Sequence, residues 1–103
     1  MSKRLAYLEK ITSEGSTDPF AWYGLALEYK TLGRVDDALA TFRALRDKKP
    51  DYVAMYLMCG TMLADRGDGA GAREWLTAGI DAAKAKRDAH ALGELEEALA
   101  ALD

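Results

Sequence analysis

The sequence predicts an all-α fold of antiparallel helical hairpins, about six helices in all, and three observations carry that prediction. First, much of the stretch from Trp22 to Pro50 returns 34 residues later: Trp22 is matched by Tyr56, Leu25 by Cys59, Ala26 by Gly60, Tyr29 by Leu63, Gly33 by Gly67, Ala38 by Ala72 and Phe42 by Leu76. A fixed period of this length marks stacked supersecondary units. Second, Trp22, Leu25 and Tyr29 fall three and four apart, as do Val35, Ala38, Leu39, Phe42 and Leu45 after a break at Gly33, so each unit reads as two helices with one apolar face apiece. Third, the chain is rich in Ala and Leu and holds only two Pro, which leaves helix as the expected state. The small pairs Ala26 with Ala38 and Gly60 with Ala72 let paired helices approach closely, and Gly33 and Gly67 supply the turns.

The first helix is expected over residues 3–13, with Leu5, Leu8 and Ile11 on one face and Tyr7 beside them. Leu8 lies one period before Phe42 and Ile11 one period before Leu45, so this helix reads as the second half of a truncated hairpin. Residues 14–18 form a linker. Asp18 caps the next helix and Pro19 occupies its first turn, where a missing N–H costs nothing. The second helix is expected over 19–32 and the third over 35–48. Arg43, Arg46, Lys48 and Lys49 gather at the end of the third, where cations complement the helix dipole; a basic docking edge for an acidic peptide is the functional alternative. Pro50 and Asp51 close the hairpin.

A fourth helix, from Tyr52 to Asp65, is apolar nearly all round and is expected to be covered on most sides. Its stripe of Met55, Met58 and Met62 is assigned to packing against the third helix rather than to an adaptable binding surface, and Cys59 to a buried, inert thiol. The turn Arg66–Gly71 carries three glycines, yet the Gly-Lys-Ser/Thr ending of a phosphate loop is absent, so it reads as turn chemistry. A fifth helix follows over about 70–84. Lys84 stands where the first unit has Pro50, which predicts helices that run on through a short kink. Asp88 then caps a sixth helix whose face is marked by Leu92, Leu95, Leu99 and Leu102. The repeat register places Glu94 where Ala26 and Gly60 stand, a polar residue that suits a capping helix with nothing packed beyond it. The same register puts His90 in the place of Trp22 and Tyr56, and packing at a helix interface is expected for it.

The pattern Trp22, Leu25, Ala26, Tyr29, Gly33, Ala38, Phe42 and Pro50 resembles the tetratricopeptide repeat (TPR), whose signature is W-x2-L-G-x2-Y followed by G, A, F/Y and P at fixed spacing. The resemblance implies an α-solenoid that binds other proteins. It divides one domain, residues 1–103, into a half-unit at 3–13, full repeats at 19–52 and 53–86, and a capping helix at 87–102. Met1 and the polar cap favour a free-standing chain of this type.

Composition narrows the function. A formal charge of −3 and a pI near 5.1 argue against a nucleic-acid partner, which demands a basic face. The longest uncharged run, Tyr52 to Ala64, is 13 residues, short of the ~18–20 that cross a bilayer, so no membrane partner is expected. The start of the chain lacks the apolar run of a secretory signal, and the single cysteine excludes an intrachain disulfide; a cytoplasmic location is expected. With one histidine and one cysteine there is no metal-ligand cluster, no nucleophile with an obvious base, and no cofactor motif, so the expectation is a protein that is not an enzyme.

In the family, the first helix of each hairpin lines a concave groove with the residues between its packing positions. By register these are Phe20, Tyr23, Leu27, Lys30 and Thr31 in the first unit and Ala54, Leu57, Thr61, Ala64 and Asp65 in the second, with Asp88, Ala91 and Leu95 as further contributors from the sixth helix. The Lys and Asn with which some relatives grip a terminal carboxylate are replaced by Tyr23, Leu27, Leu57 and Thr61. The implied function is an adaptor whose apolar groove takes a peptide or helix of another protein, anchored by Phe20, Tyr23, Leu27 and Leu57. The alternative is self-association into a homo-oligomer through the terminal helices, with Leu5 and Tyr7 on the outer face of the first.

Overall fold

The computed structural model describes residues 2–102 and contains, among them, six α-helices in two compact units, Met1–Lys49 and Pro50–Asp103. The first unit holds α1 (Lys3–Ser13), α2 (Pro19–Thr31) and α3 (Val35–Lys48); the second holds α4 (Ala54–Asp65), α5 (Gly69–Lys86) and α6 (Ala89–Ala100). The fold is the all-α helical repeat that the sequence predicts.

Local chemistry sets the helix ends. The side chains of Ser2, Asp18, Asp68 and Asp88 accept hydrogen bonds from Leu5, Phe20, Gly71 and Ala91 N–H groups, so four of the six helices begin on a side-chain cap. Gly33 and Gly67 adopt φ of +77° and +89°, which reverses the chain at the ends of α2 and α4. In both turns the N–H two residues past the C-cap reaches back to close the last turn, Arg34 to the Tyr29 carbonyl at 2.9 Å and Asp68 to that of Leu63 at 2.8 Å. The turn after α5 departs from expectation. Lys84, which keeps the N–H that proline lacks, does not kink the chain; α5 continues to Lys86 and stops at Arg87, a left-handed residue with φ 57°. The Asp88 N–H then donates to the Ala83 carbonyl, 2.9 Å away. The fourth helix likewise begins at Ala54 rather than Tyr52, because Pro50 and Asp51 hold a turn that the Tyr56 hydroxyl ties down by donating to the Pro50 carbonyl.

In the first unit α2 and α3 form an antiparallel hairpin: Lys48, at the end of α3, sits over the Trp22 ring at 4.8 Å, and Arg34, ahead of α3, over the Tyr29 ring at 4.6 Å. Ala26 and Ala38 are fully buried at the close approach, and Phe42 and Leu45 fill the core. Burying each such large side chain contributes about 1.5–3 kcal/mol. The first helix packs on the flank of α2 that presents Gly24, where Leu8 lies against the glycine and Arg4 pairs with Glu28 at 3.2 Å. Glu9 accepts a 2.5 Å hydrogen bond from the Tyr29 hydroxyl. Leu5, expected on the outer face, is only 3% exposed and belongs to this core; the outward residue of α1 is Tyr7, at 63%.

In the second unit Gly60 and Ala72 repeat the close approach between α4 and α5, with Leu76 in the place of Phe42. Met55 and Met62 are buried and Met58 half-buried; Cys59 is fully enclosed. The sixth helix rests on α5 and α4 through Leu95, seated against Gly79. His90 is not at a helix interface: its side chain is 89% exposed and pairs with Glu94 at 3.2 Å. The reason is that α5 outruns α3, so the repeat register no longer says which face of α6 meets its neighbours. Glu94 is exposed beside His90.

Candidate protein-interaction surface

At 100° per residue, Phe20, Tyr23, Leu27, Lys30 and Thr31 occupy an arc of about 100° on α2. Gly24 and Glu28 are turned to α1 and Ala26 to α3, so this arc is the side of α2 that its two neighbours leave uncovered. Phe20 is 71% exposed, Thr31 is exposed, and Tyr23, Leu27 and Lys30 are half-buried. Phe20 owes its position to the helix start: Pro19 fixes the first turn, and the Asp18 carboxylate accepts from the Phe20 N–H at 3.0 Å, which leaves the ring on the rim of the unit. The adjoining loop is pinned by the Trp22 indole, whose Nε1–H donates to the Ser16 carbonyl at 2.8 Å.

The equivalent arc on α4 carries Ala54, Leu57, Thr61, Ala64 and Asp65. Ala54 and Asp65 are exposed and the other three half-buried. The Thr61 hydroxyl donates to the Leu57 carbonyl at 2.9 Å, so its one proton is engaged within the helix and only its lone pairs remain for a partner. Of the three contributors expected from α6, Leu95 is excluded: it is 1% exposed and forms the helix's core contact. Asp88 is engaged as the cap of α6, and Ala91 is half-buried.

Each arc has one charged side chain, Lys30 on α2 and Asp65 on α4, and is otherwise suited to largely apolar contact. His90 stands in solvent while Cys59 is enclosed, so the base and thiol that nucleophilic catalysis needs are not brought together. Among the described residues no group of three or more His, Cys, Asp or Glu could hold a metal ion, and no helix is long and apolar enough to cross a membrane. The turn before α5 offers nothing to a phosphate either, because the Asp68 carboxylate already accepts from the Gly71 N–H. A feature the sequence did not signal is a pocket of about 310 Å³ at the α5–α6 corner, lined by Ala83, Lys84, Arg87, Asp88, Ala89 and Leu92. It lies where Arg87 turns left-handed, and nothing in the residue pattern marks that turn.

A sequence model of the tetratricopeptide repeat matches residues 23–87. The chain is similar to the tetratricopeptide repeat domain protein of Salinibacter ruber, at 30% identity in both its solution structure (82% of this chain and 86% of that one, TM-score 0.77) and its crystal structure (82% and 94%, TM-score 0.76). It is also similar to the solution structure of a protein from Bordetella parapertussis, at 29% identity over 99% of this chain and 89% of that one, with a TM-score of 0.83. Among curated protein sequences none matches. The family match spans more than half of the chain, and the signature residues Leu25, Ala26, Tyr29, Ala38 and Phe42 fill the core of the α2–α3 hairpin: the chain belongs to the tetratricopeptide repeat family.

Proposed function

We propose that this protein is an adaptor that binds an apolar peptide or helical segment of another protein through the outer arcs of α2 and α4. Tetratricopeptide repeats generally mediate protein–protein interaction and are generally non-enzymatic scaffolds. What supports the finer reading is a single observation: Phe20 is 71% exposed on the one side of α2 that neither α1 nor α3 uses, with Tyr23 and Leu27 on the same arc. An exposed aromatic flanked by half-buried apolar residues gains contact area on binding at little entropic cost. Leu57 and Thr61 repeat the arrangement on α4. In this reading repeats 19–52 and 53–86 carry the binding surfaces, residues 87–102 cap them, and the enclosed Cys59 suits a reducing, cytoplasmic compartment.

The test uses peptides selected on the protein from a displayed random library and titrated into the isotope-labelled chain. Chemical-shift changes are expected at Phe20, Tyr23, Leu27 and Leu57, and Phe20→Ala and Leu57→Ala should each weaken binding about tenfold or more while the fold is kept. Shifts confined to α1 or α6, or undiminished affinity in both variants, would sink the assignment.

A further inference from the structure

We propose that this chain also associates head to tail with a second copy of itself, the outer face of α1 on one molecule docking against the outer face of α6 on the next. The inference is independent of the adaptor reading, since neither face includes Phe20, Tyr23, Leu27 or Leu57.

Charge identifies the occupant. Residues 1–49 hold nine Lys and Arg against seven Asp and Glu, and residues 50–103 hold five against ten, so the two units carry formal charges of +2 and −5. The terminal helices show the same contrast. On α1, Lys3, Arg4 and Lys10 face one carboxylate, Glu9, which is engaged with Tyr29. On α6, Glu94, Glu96 and Glu97 are all exposed and there is no Lys or Arg. Two copies thus attract each other through α1 of one and α6 of the other, whereas α1 against α1 or α6 against α6 sets like charges together.

Shape supports the same pairing. Tyr7, 63% exposed, stands on the far side of α1 from the core residues Leu5 and Leu8, with half-buried Ile11 one turn on. The pocket at the α5–α6 corner, about 310 Å³, has Ala83, Ala89 and Leu92 in its wall and is large enough for one aromatic ring. With the ring of Tyr7 in that pocket and the two helices antiparallel, as hairpin neighbours within each unit are, Arg4 lies one turn from Tyr7 on α1 and meets Glu96, one turn from Leu92 on α6. The same pocket carries Lys84 and Arg87, the cations that Glu14, two turns beyond Tyr7 at the end of α1, offsets. The contact is small and its charges are solvated, so association is weak and is screened by salt. Being heterologous, it leaves an α1 face free on one molecule and an α6 face free on the other, so a further copy can add.

Sedimentation or light scattering of the whole chain, over a wide concentration range at low and high salt, tests the proposal. The mass should rise above 11.2 kDa with concentration at low salt, and association should weaken about tenfold at high salt. Arg4→Glu and Glu96→Arg should each be monomeric alone, and their equimolar mixture should associate again, because every contact in the mixture then pairs opposite charges. Arg4 neighbours Glu28, so Tyr7→Ser serves as a second α1 variant, expected to be monomeric with unchanged melting. A mass fixed at 11.2 kDa, association retained in Glu96→Arg, or a mixture that fails to restore it would each overturn the pairing.

Discussion

Gly60 on α4 faces Leu76 on α5 so closely that a Cβ at Gly60 would stand 2.6 Å from Leu76 Cδ2. The first unit holds Ala26 and Phe42 at the same two positions, both fully buried, so the two hairpins solve one packing problem with different volumes. In the second, the glycine is what admits the leucine.

Gly60→Ala should therefore destabilise the protein by about 1 kcal/mol, the overpacking cost of about 1–3 kcal/mol outweighing the gain of about 1 kcal/mol in helix propensity. Combined with Leu76→Val, which withdraws the opposing methyl group, the cost should fall short of the sum of the two single changes by about 0.5 kcal/mol or more. Urea unfolding of the four proteins measures this coupling. Strict additivity would mean that the close approach carries no strain.

Gly79→Ala should be worse. A Cβ there would meet the Cβ of Tyr56 at 2.5 Å and Leu95 Cδ2 at 2.9 Å, and a Cβ cannot be moved aside by a rotamer change. A loss of about 2–3 kcal/mol is expected. Hydrogen exchange should show the loss first in α6, whose core contact is Leu95.

Arg87→Gly should stabilise the chain. Arg87 holds φ 57° without the freedom of Gly33 and Gly67, which make the same kind of turn. A side chain in the left-handed region costs about 1 kcal/mol, so relieving it should raise the melting temperature by roughly 5 °C. Arg87→Val, β-branched, should lower it. Thermal unfolding of the two variants decides.

Tyr29 should make stability fall at high pH. Burial, and then the hydrogen bond it donates to Glu9, push its phenol from 10.0 up to about 12. The folded chain holds that proton more tightly than the unfolded chain does. The contribution is therefore complete below about pH 10 and is lost as pH rises towards about 12. Unfolding free energies followed through this window should decline more steeply for the native chain than for Tyr29→Phe. Parallel curves would show that Tyr29 is not the group responsible.

The sequence by itself determined the helices and most of their ends. The spacing of Trp22, Leu25 and Tyr29, the caps at Asp18 and Asp88, and the glycines at 33 and 67 act over a few residues, within reach of local sterics and hydrogen bonding. It also determined the pairing of Ala26 with Ala38 and of Gly60 with Ala72, because a period of 34 residues carries one hairpin's packing over to the next. The outer arc of α2 was legible for the same reason.

Tertiary structure decided the two ends of the chain, where that period has no neighbouring hairpin to repeat. Leu5 went inward because α1 turns it, with Leu8, toward the flank of α2 that Gly24 opens. Leu95 went inward and His90 outward because α5 continues past Lys84 to a left-handed stop at Arg87, which resets the face that α6 presents. No local rule fixes such a choice. An apolar stripe says that a helix has an inside, but only the packed neighbour says which residues of that stripe will be covered.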